Sequence, residues 1–249
     1  MNKLTEYRQK LTLNKIVSEK LFNSMSIFDK KSQLFILGHM RSRSSLLAHI
    51  LMNDKTIFGM GESNKIYKNK LDIVKMRVKT RLYAKGMIPF NFTFLDQINH
   101  NQKTPNLDLI QSNGKMIVLV RTPKETFESI RKLTKNFYKE WSHKQIEEYY
   151  LERLQFLAAI KSNNPRSQAI IIDSEALISN SQQCLAKISA FLELKAPLSS
   201  NYDIQTFTGK HGDPSPVIST GKIVKTKSQA YDDEIAKECF SLFEEIIGL

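Results

Sequence analysis

The chain has 249 residues, of which 41% are hydrophobic and 25% charged, which fits one α/β domain of the larger kind. Thirty-seven Lys and Arg against 25 Asp and Glu leave a net charge of +12, so an acidic ligand, substrate or surface is expected. No apolar run approaches the ~20 residues that span a bilayer. The charged N-terminus does not read as a signal peptide, and the two cysteines, Cys184 and Cys239, lie in apolar helical stripes without metal-ligand spacing. Reduced thiols in a cytoplasmic protein are expected.

Residues 3–28 read as a helical element, with Leu4, Tyr7, Leu11, Ile16, Val17 and Leu21 on one face. A buried strand follows, Leu34 to Leu37, then a turn at Gly38 and a polar basic loop. A helix over residues 44–52 comes next, with Leu46, Leu47, Ile50 and Leu51 at helical spacing and Ser42 or Ser44 as its cap. A loop at the carboxyl end of a strand that feeds a helix N-terminus is an anion site, because unpaired N–H groups and the positive end of the helix dipole point into it. Arg41, Arg43, Ser42, Ser44 and Ser45 add charge and hydroxyl donors, and a phosphate is the expected anion. The Walker pattern is absent, since Arg43, Ser44 and Ser45 stand where it requires Gly, Lys and Ser or Thr.

The arrangement resembles the 5′-phosphosulfate loop of the sulfotransferases that use 3′-phosphoadenosine 5′-phosphosulfate (PAPS). That loop runs Gly-x-x-Arg/Lys-Ser-Gly-Thr-Thr/Ser-Leu after a strand; Gly38, Arg41, Ser42, Ser44, Ser45 and Leu46 match it. Arg43 stands where the family has glycine, in a place whose backbone geometry glycine tolerates best.

Next, Gly59 and Gly61 bracket a turn that presents Glu62. The resemblance implies a general base there; the plain alternative is a helix-capping carboxylate. Residues 64–85 carry eight basic residues against one acid, Asp72, and Tyr67, Leu71, Val74, Val78 and Leu82 form a helical seam. An amphipathic helix with a basic outer face is expected, either simply solvated or attracting an acidic acceptor or a membrane surface. Phe90 to Leu95 reads as a second strand, ending in Asp96-Gln97-Ile98-Asn99-His100-Asn101. The resemblance makes His100 a second candidate base; a structural histidine is the alternative.

Lys115 to Val120 is a continuous apolar run suited to a parallel strand covered on both faces. It leads into Arg121-Thr122-Pro123-Lys124-Glu125, where Thr122 and Glu125 have capping-box spacing and Pro123 sits at the first helical position. Phe127, Ile130, Thr134, Phe137 and Trp141 continue that helix. Here the resemblance recurs: the family's 3′-phosphate motif is Arg-Asp/Asn-Pro-x-Asp/Glu with a serine eight residues after the arginine, and Arg121, Pro123, Glu125 and Ser129 fall on it. An arginine fork suits a doubly charged phosphate.

A helix starting at Ser142 and Gln145, a strand over 169–172 and a helix around 182–192 follow; Ser174-Glu175-Ala176-Leu177 between them reads as architecture. In the loop over 206–224, Gly209, Gly212 and Asp213 match the core of the family's C-terminal nucleotide loop. Lys210 is there a candidate for the 3′-phosphate, and the loop a cover for the adenosine. A helix over 231–247 closes the chain, with Ile235, Cys239, Leu242 and Ile246 inward.

The resemblance implies a single α/β domain with a mostly parallel central sheet and a P-loop-like strand-loop-helix, binding PAPS and releasing the bisphosphate PAP without a metal. The acceptor would be a small molecule, a carbohydrate or a lipid headgroup, with nucleic acid ranked last. Arg41, Ser42, Arg43, Ser44, Ser45, Arg121, Ser129, Lys210 and Gly212 would hold the donor; Glu62 or His100 would act as base beside Arg41. Two other readings stay open: an Mg²⁺-dependent nucleotide phosphotransferase, and a non-catalytic basic module for nucleic acid or anionic membrane.

Overall fold

The computed structural model describes residues 33–84, 91–112, 114–165, 167–205, 207–209, 216–225, 231 and 233–248. The helical element expected within residues 1–32, and Lys210, Gly212 and Asp213 of the C-terminal loop, lie outside the described residues.

Strand β1 (Gln33–Gly38) is buried at every position, as a strand packed on both faces must be. It pairs in parallel with β3 (Thr93–Ile98) on one side and β4 (Lys115–Val120) on the other. Strands β2 (Ile57–Gly59) and β5 (Ala169–Asp173) complete a five-stranded parallel sheet of order β2-β3-β1-β4-β5. One face carries α1 (Ser44–Leu51), α6 (Ser174–Ser179) and α7 (Ser181–Leu192), whose Leu47, Ile50, Leu177 and Ile188 pack with Leu34, Ile36, Ile117 and Leu119. The other carries α2 (Lys70–Tyr83), α3 (Leu107–Gln111), α4 (Pro123–Phe137), α5 (His143–Asn163) and α8 (Lys237–Ile247) over Phe35, Leu37, Phe94 and Val118. The connection after β1 leads toward β2, and the one after β4 leads to β5 on the opposite side. They part at the carboxyl ends of β1 and β4, where an open α/β sheet forms a crevice.

Several expectations shift. The edge strand β2 was not expected; the sequence shows only a turn there. Strand β3 lies three residues later than the alternation placed it, so Asp96 and Gln97 are buried residues within the strand and do not follow it. Helix α1 starts as expected, but its cap is Arg43, and neither Ser42 nor Ser44 caps it. Thr122 does not bond back to the first turn of α4; its hydroxyl donates to the Glu125 carboxylate at 3.2 Å. Helix α4 stops at Phe137, which is 61% exposed, and Trp141 follows in the connection to α5. Helix α8 begins at Lys237, six residues after the expected start.

The seam of α2 is the largest correction. Of the expected seam, Tyr67 and Val74 are buried, but Val78 is 37% and Leu82 73% exposed, and Ile73, Met76, Arg77 and Thr80 face inward instead. The reason lies in two polar residues. Asp72 accepts the N–H groups of Lys68 and Asn69 and pairs with Lys65 Nζ at 2.8 Å, which turns it to the protein. Arg77 donates to Phe92 O at 2.9 Å and lies over the Phe92 ring. Those bonds rotate the helix away from the face that hydrophobicity alone selects.

Candidate anion loop and active site

The loop after β1 starts at Gly38, where a side chain is excluded. A Cβ there would meet Ser42 Oγ at 2.4 Å, Asn99 Oδ1 at 3.2 Å and Leu119 O at 3.3 Å. Arg41 and Arg43 both adopt left-handed backbone, with φ of 65° and 67°. This costs a non-glycine residue roughly 1–2 kcal/mol. The place where the resemblance expects glycine thus has the backbone glycine favours, and Arg43 takes it by anchoring its side chain. Its guanidinium donates to Ser174 O at 3.1 Å and pairs with Glu175. Ser42, Ser44 and Ser45 are buried in the turn into α1, and Ser42 Oγ has no partner among the described residues. The first-turn N–H groups of α1, left without a side-chain cap, face whatever occupies the loop.

The two motifs read separately from the sequence meet. Arg41 Nε donates to Ser129 Oγ on α4 at 2.8 Å. Arg121, at the end of β4, donates its backbone N–H to His39 Nε2 at 3.0 Å and reaches Arg41 O at 3.4 Å. His39 donates through Nδ1 to Met40 O at 2.8 Å, so its ring is the neutral Nδ1–H form; complete burial drives its pKa down to about 3. The Arg121 side chain is itself held, with Nε 3.2 Å from Glu175 and 3.4 Å from Glu125. Burial works to raise the Glu175 pKa, but a hydrogen bond from Glu125 and the guanidinium groups of Arg43 and Arg121 overcome it and hold Glu175 at about 2. Glu125 is pushed up by its own burial and by the neighbouring Glu175.

Glu62 follows β2 on the other flank. Burial raises its pKa and the neighbouring Asp96 charge adds to the rise, against a hydrogen bond from Asn99 and the charge of Lys103. The segment is pinned by Asp96, which accepts from Ser63 and from the Tyr67 hydroxyl. His100 packs on Tyr149 with ring centroids 5.6 Å apart. Its burial, followed by the charges of Arg153 and Lys103, lowers its pKa to about 4, so it is neutral at pH 7. Trp141 stacks edge-on against the same Tyr149 at 5.7 Å. The described part of the C-terminal loop also comes here: Thr208 Oγ1 bonds His49 Nε2 of α1 at 2.7 Å, and Phe207 packs on that ring.

Sequence reading passed over four residues that build this site: His39, Asn99, Tyr149 and Arg153. Arg153 is 1% exposed and donates to Gly38 O, Ile98 O and Asn101 Oδ1 at 2.6–2.7 Å, tying together the ends of β1 and β3. Its position in the pattern Tyr149-Tyr150-Leu151-Glu152-Arg153-Leu154, on the otherwise apolar face of α5, was the available signal. Glu175, read as architecture, is the carboxylate that holds both Arg43 and Arg121.

No family model matches the chain, and no curated protein matches it in sequence. Among solved structures it is similar to the sulfotransferase domain from the curacin biosynthetic pathway, with a TM-score of 0.62 and 16% identity over 87% of this chain and 98% of that one. It is equally similar to the sulfotransferase domain of the Synechococcus PCC 7002 olefin synthase, with a TM-score of 0.62 and 16% identity over 87% and 95%. The chain has the sulfotransferase fold. Within that fold the strand-loop-helix at Gly38–Leu51 and the strand-loop-helix at Lys115–Phe137 stand side by side at the switch-point crevice. Among the described residues no helix is long and apolar enough to cross a membrane.

Proposed function

We propose that the chain transfers a sulfuryl group from PAPS to an acceptor hydroxyl or amine. The observation that carries the reading is the Arg41–Ser129 hydrogen bond, which joins the 5′-phosphosulfate loop to the 3′-phosphate motif across the crevice. A nucleotide with phosphates at both ends of its ribose suits two adjoining anion sites. The residues fit such a donor: α1 leaves its first N–H groups uncapped, Ser42 Oγ lacks a partner among the described residues, and Arg41 and Arg121 supply charge.

PAPS supplies an activated sulfuryl group whose leaving group is the 5′-phosphate. In this reading Glu62 takes the acceptor proton as the acceptor oxygen bonds to sulfur, and the bond from sulfur to the phosphate oxygen breaks. Burial strengthens Glu62 as a base and weakens His100, so Glu62 is the better of the two candidates. Arg41 and the N–H groups of Arg43, Ser44 and Ser45 stabilise the charge that develops on the leaving phosphate. Ser129 and the terminal guanidinium nitrogens of Arg121 take the 3′-phosphate. The His100–Tyr149–Trp141 wall stands on the acceptor side, where a small alcohol, a sugar or a lipid headgroup would enter.

Calorimetric titration with adenosine 3′,5′-bisphosphate, beside AMP and ATP–Mg²⁺, tests the reading. Binding of the bisphosphate at least 10-fold tighter than AMP is expected, and a preference for ATP–Mg²⁺ overturns the reading in favour of a phosphotransferase. Arg41→Ala should weaken bisphosphate binding by about 10-fold or more while changing unfolding free energy by less than about 1 kcal/mol. Unaltered affinity in that variant removes Arg41 from the donor site.

A further inference from the structure

Helix α2 turns one stripe of side chains to solvent. Lys75, Val78, Lys79 and Leu82 stand one turn apart along the helix, and all four are exposed. Leu82, at 73%, is the most exposed large apolar side chain among the described residues. A single exposed leucine needs no explanation, but this one shares its stripe with Val78 between two lysines. The stripe cannot roll into the core. Ile73, Met76 and Thr80 are buried on the other side, and Arg77 holds the helix by its bond to Phe92 O at 2.9 Å.

The charge on this face is of one sign. Residues 64–85 hold a single acid, Asp72. It is turned inward, where Lys65 Nζ at 2.8 Å and the N–H groups of Lys68 and Asn69 engage it. Among the described residues Lys75 and Lys79 form no ion pair. Lys68 and Lys70, both exposed, carry the basic surface past the N-terminal end of the helix.

Three kinds of occupant meet such a face differently. A second copy in a two-fold contact would set the lysines of one stripe against those of the other, like charge on like charge. An acidic protein answers the lysines but must also supply a fitted pocket for Val78 and Leu82. An anionic bilayer answers both at once. Lysine stems lie along the interface while their ammonium groups reach the phosphates, and the apolar side chains between them enter the acyl boundary. We propose that this stripe docks the protein on an anionic membrane surface, with α2 lying in the plane of the interface. With 14 residues, and with Asp72 and Arg77 on its inner side, α2 lies on the bilayer and does not cross it.

The test is co-sedimentation of the full chain with vesicles at about 0.1 M salt, phosphatidylcholine alone against phosphatidylcholine with about one-third phosphatidylserine. Partition should favour the anionic vesicles by about 10-fold or more. Leu82→Ser should weaken that binding about fivefold, and the double variant Lys75→Glu, Lys79→Glu about 20-fold or more. These positions are exposed, so urea unfolding of both variants should match the wild type. The double variant Lys195→Glu, Lys222→Glu changes the net charge equally from exposed sites beside the opposite layer of helices, and should cost no more than about threefold. Equal losses in the two charge-reversed proteins would show that net charge alone drives binding, and the proposal falls. It falls too if both kinds of vesicle are bound alike. Binding of poly-L-glutamate without binding of vesicles would give the face to an acidic protein. A dimer in sedimentation velocity that Leu82→Ser dissociates at the same salt would give it to a second copy. Either overturns the membrane reading. A chain that binds no bisphosphate ends the sulfotransferase reading and leaves this one standing, because the stripe contains no residue of the anion loop.

Discussion

His39 shows how one buried ring can make the phosphate loop sensitive to acid. It is neutral in the fold, with Nδ1–H bonded to Met40 O and Nε2 accepting from Arg121 N, and its pKa is driven to about 3 against an unfolded value near 6.5. The unfolded chain therefore binds the proton first as pH falls. The stability that neutral His39 contributes is complete above pH 6.5 and is lost on the way down toward pH 3, by about 1.4 kcal/mol per pH unit. Urea unfolding at pH 7, 6 and 5 should show a slope in His39→Gln that is shallower than in the wild type by that amount, with His100 contributing equally to both. Equal slopes would mean that the ring is protonated in the fold. At this scale the residues that a strand-loop-helix brings together by chain order alone were legible: Arg41, Ser42, Ser44 and Ser45 in one motif, and Arg121 and Ser129 in the other. His39, Asn99, Tyr149 and Arg153 were not, because their work lies in bonds to backbone groups far along the chain, which leave no local spacing to read. The placement of Arg43 was half legible. Its conflict with a glycine position showed in the sequence; the Glu175 and Ser174 partners that hold it did not.

Among the elements, β1, β4 and α5 follow from pattern alone, since continuous apolar runs make doubly covered strands and the Ser142–Gln145 capping box fixes the start of α5. Edge strand β2 has three residues and was too short to carry a period. Helix α2 was misread for a different reason: its rotation is set by hydrogen bonds to Asp72 and Arg77, and a hydrophobic count treats both as outward. The corrected face makes a paired prediction. Met76→Ala, at a site 5% exposed in the core, should cost about 2–4 kcal/mol, whereas Leu82→Ala, 73% exposed, should cost less than about 0.5 kcal/mol. Chemical denaturation of the two variants checks it, and the reverse ranking would restore the seam read from the sequence.

For the molecule as a whole, one sheet is shared by both layers of helices, and the side chains of β1 and β4 enter both apolar clusters. Both strands were read from the sequence, while their pairing and the order of the other strands came only from the structure. Because neither layer can lose β1 and β4 without the other, unfolding should be a single transition. The fluorescence of the single Trp, Trp141, and far-UV circular dichroism should report the same midpoint, and two separated midpoints would show that the layers melt independently. The outward turn of α2 also bears on how copies of the protein meet. A net charge of +12 keeps molecules apart in dilute buffer, but the reach of that repulsion shrinks to about 10 Å at 0.1 M salt and about 3 Å at 1 M. Val78 and Leu82 lie on the surface with Lys75 and Lys79, so the same stretch carries both the repulsion and the apolar surface that it keeps apart. Colloidal behaviour should therefore invert the usual habit of basic proteins: dispersed as ionic strength falls, and self-adhesive through α2 as it rises.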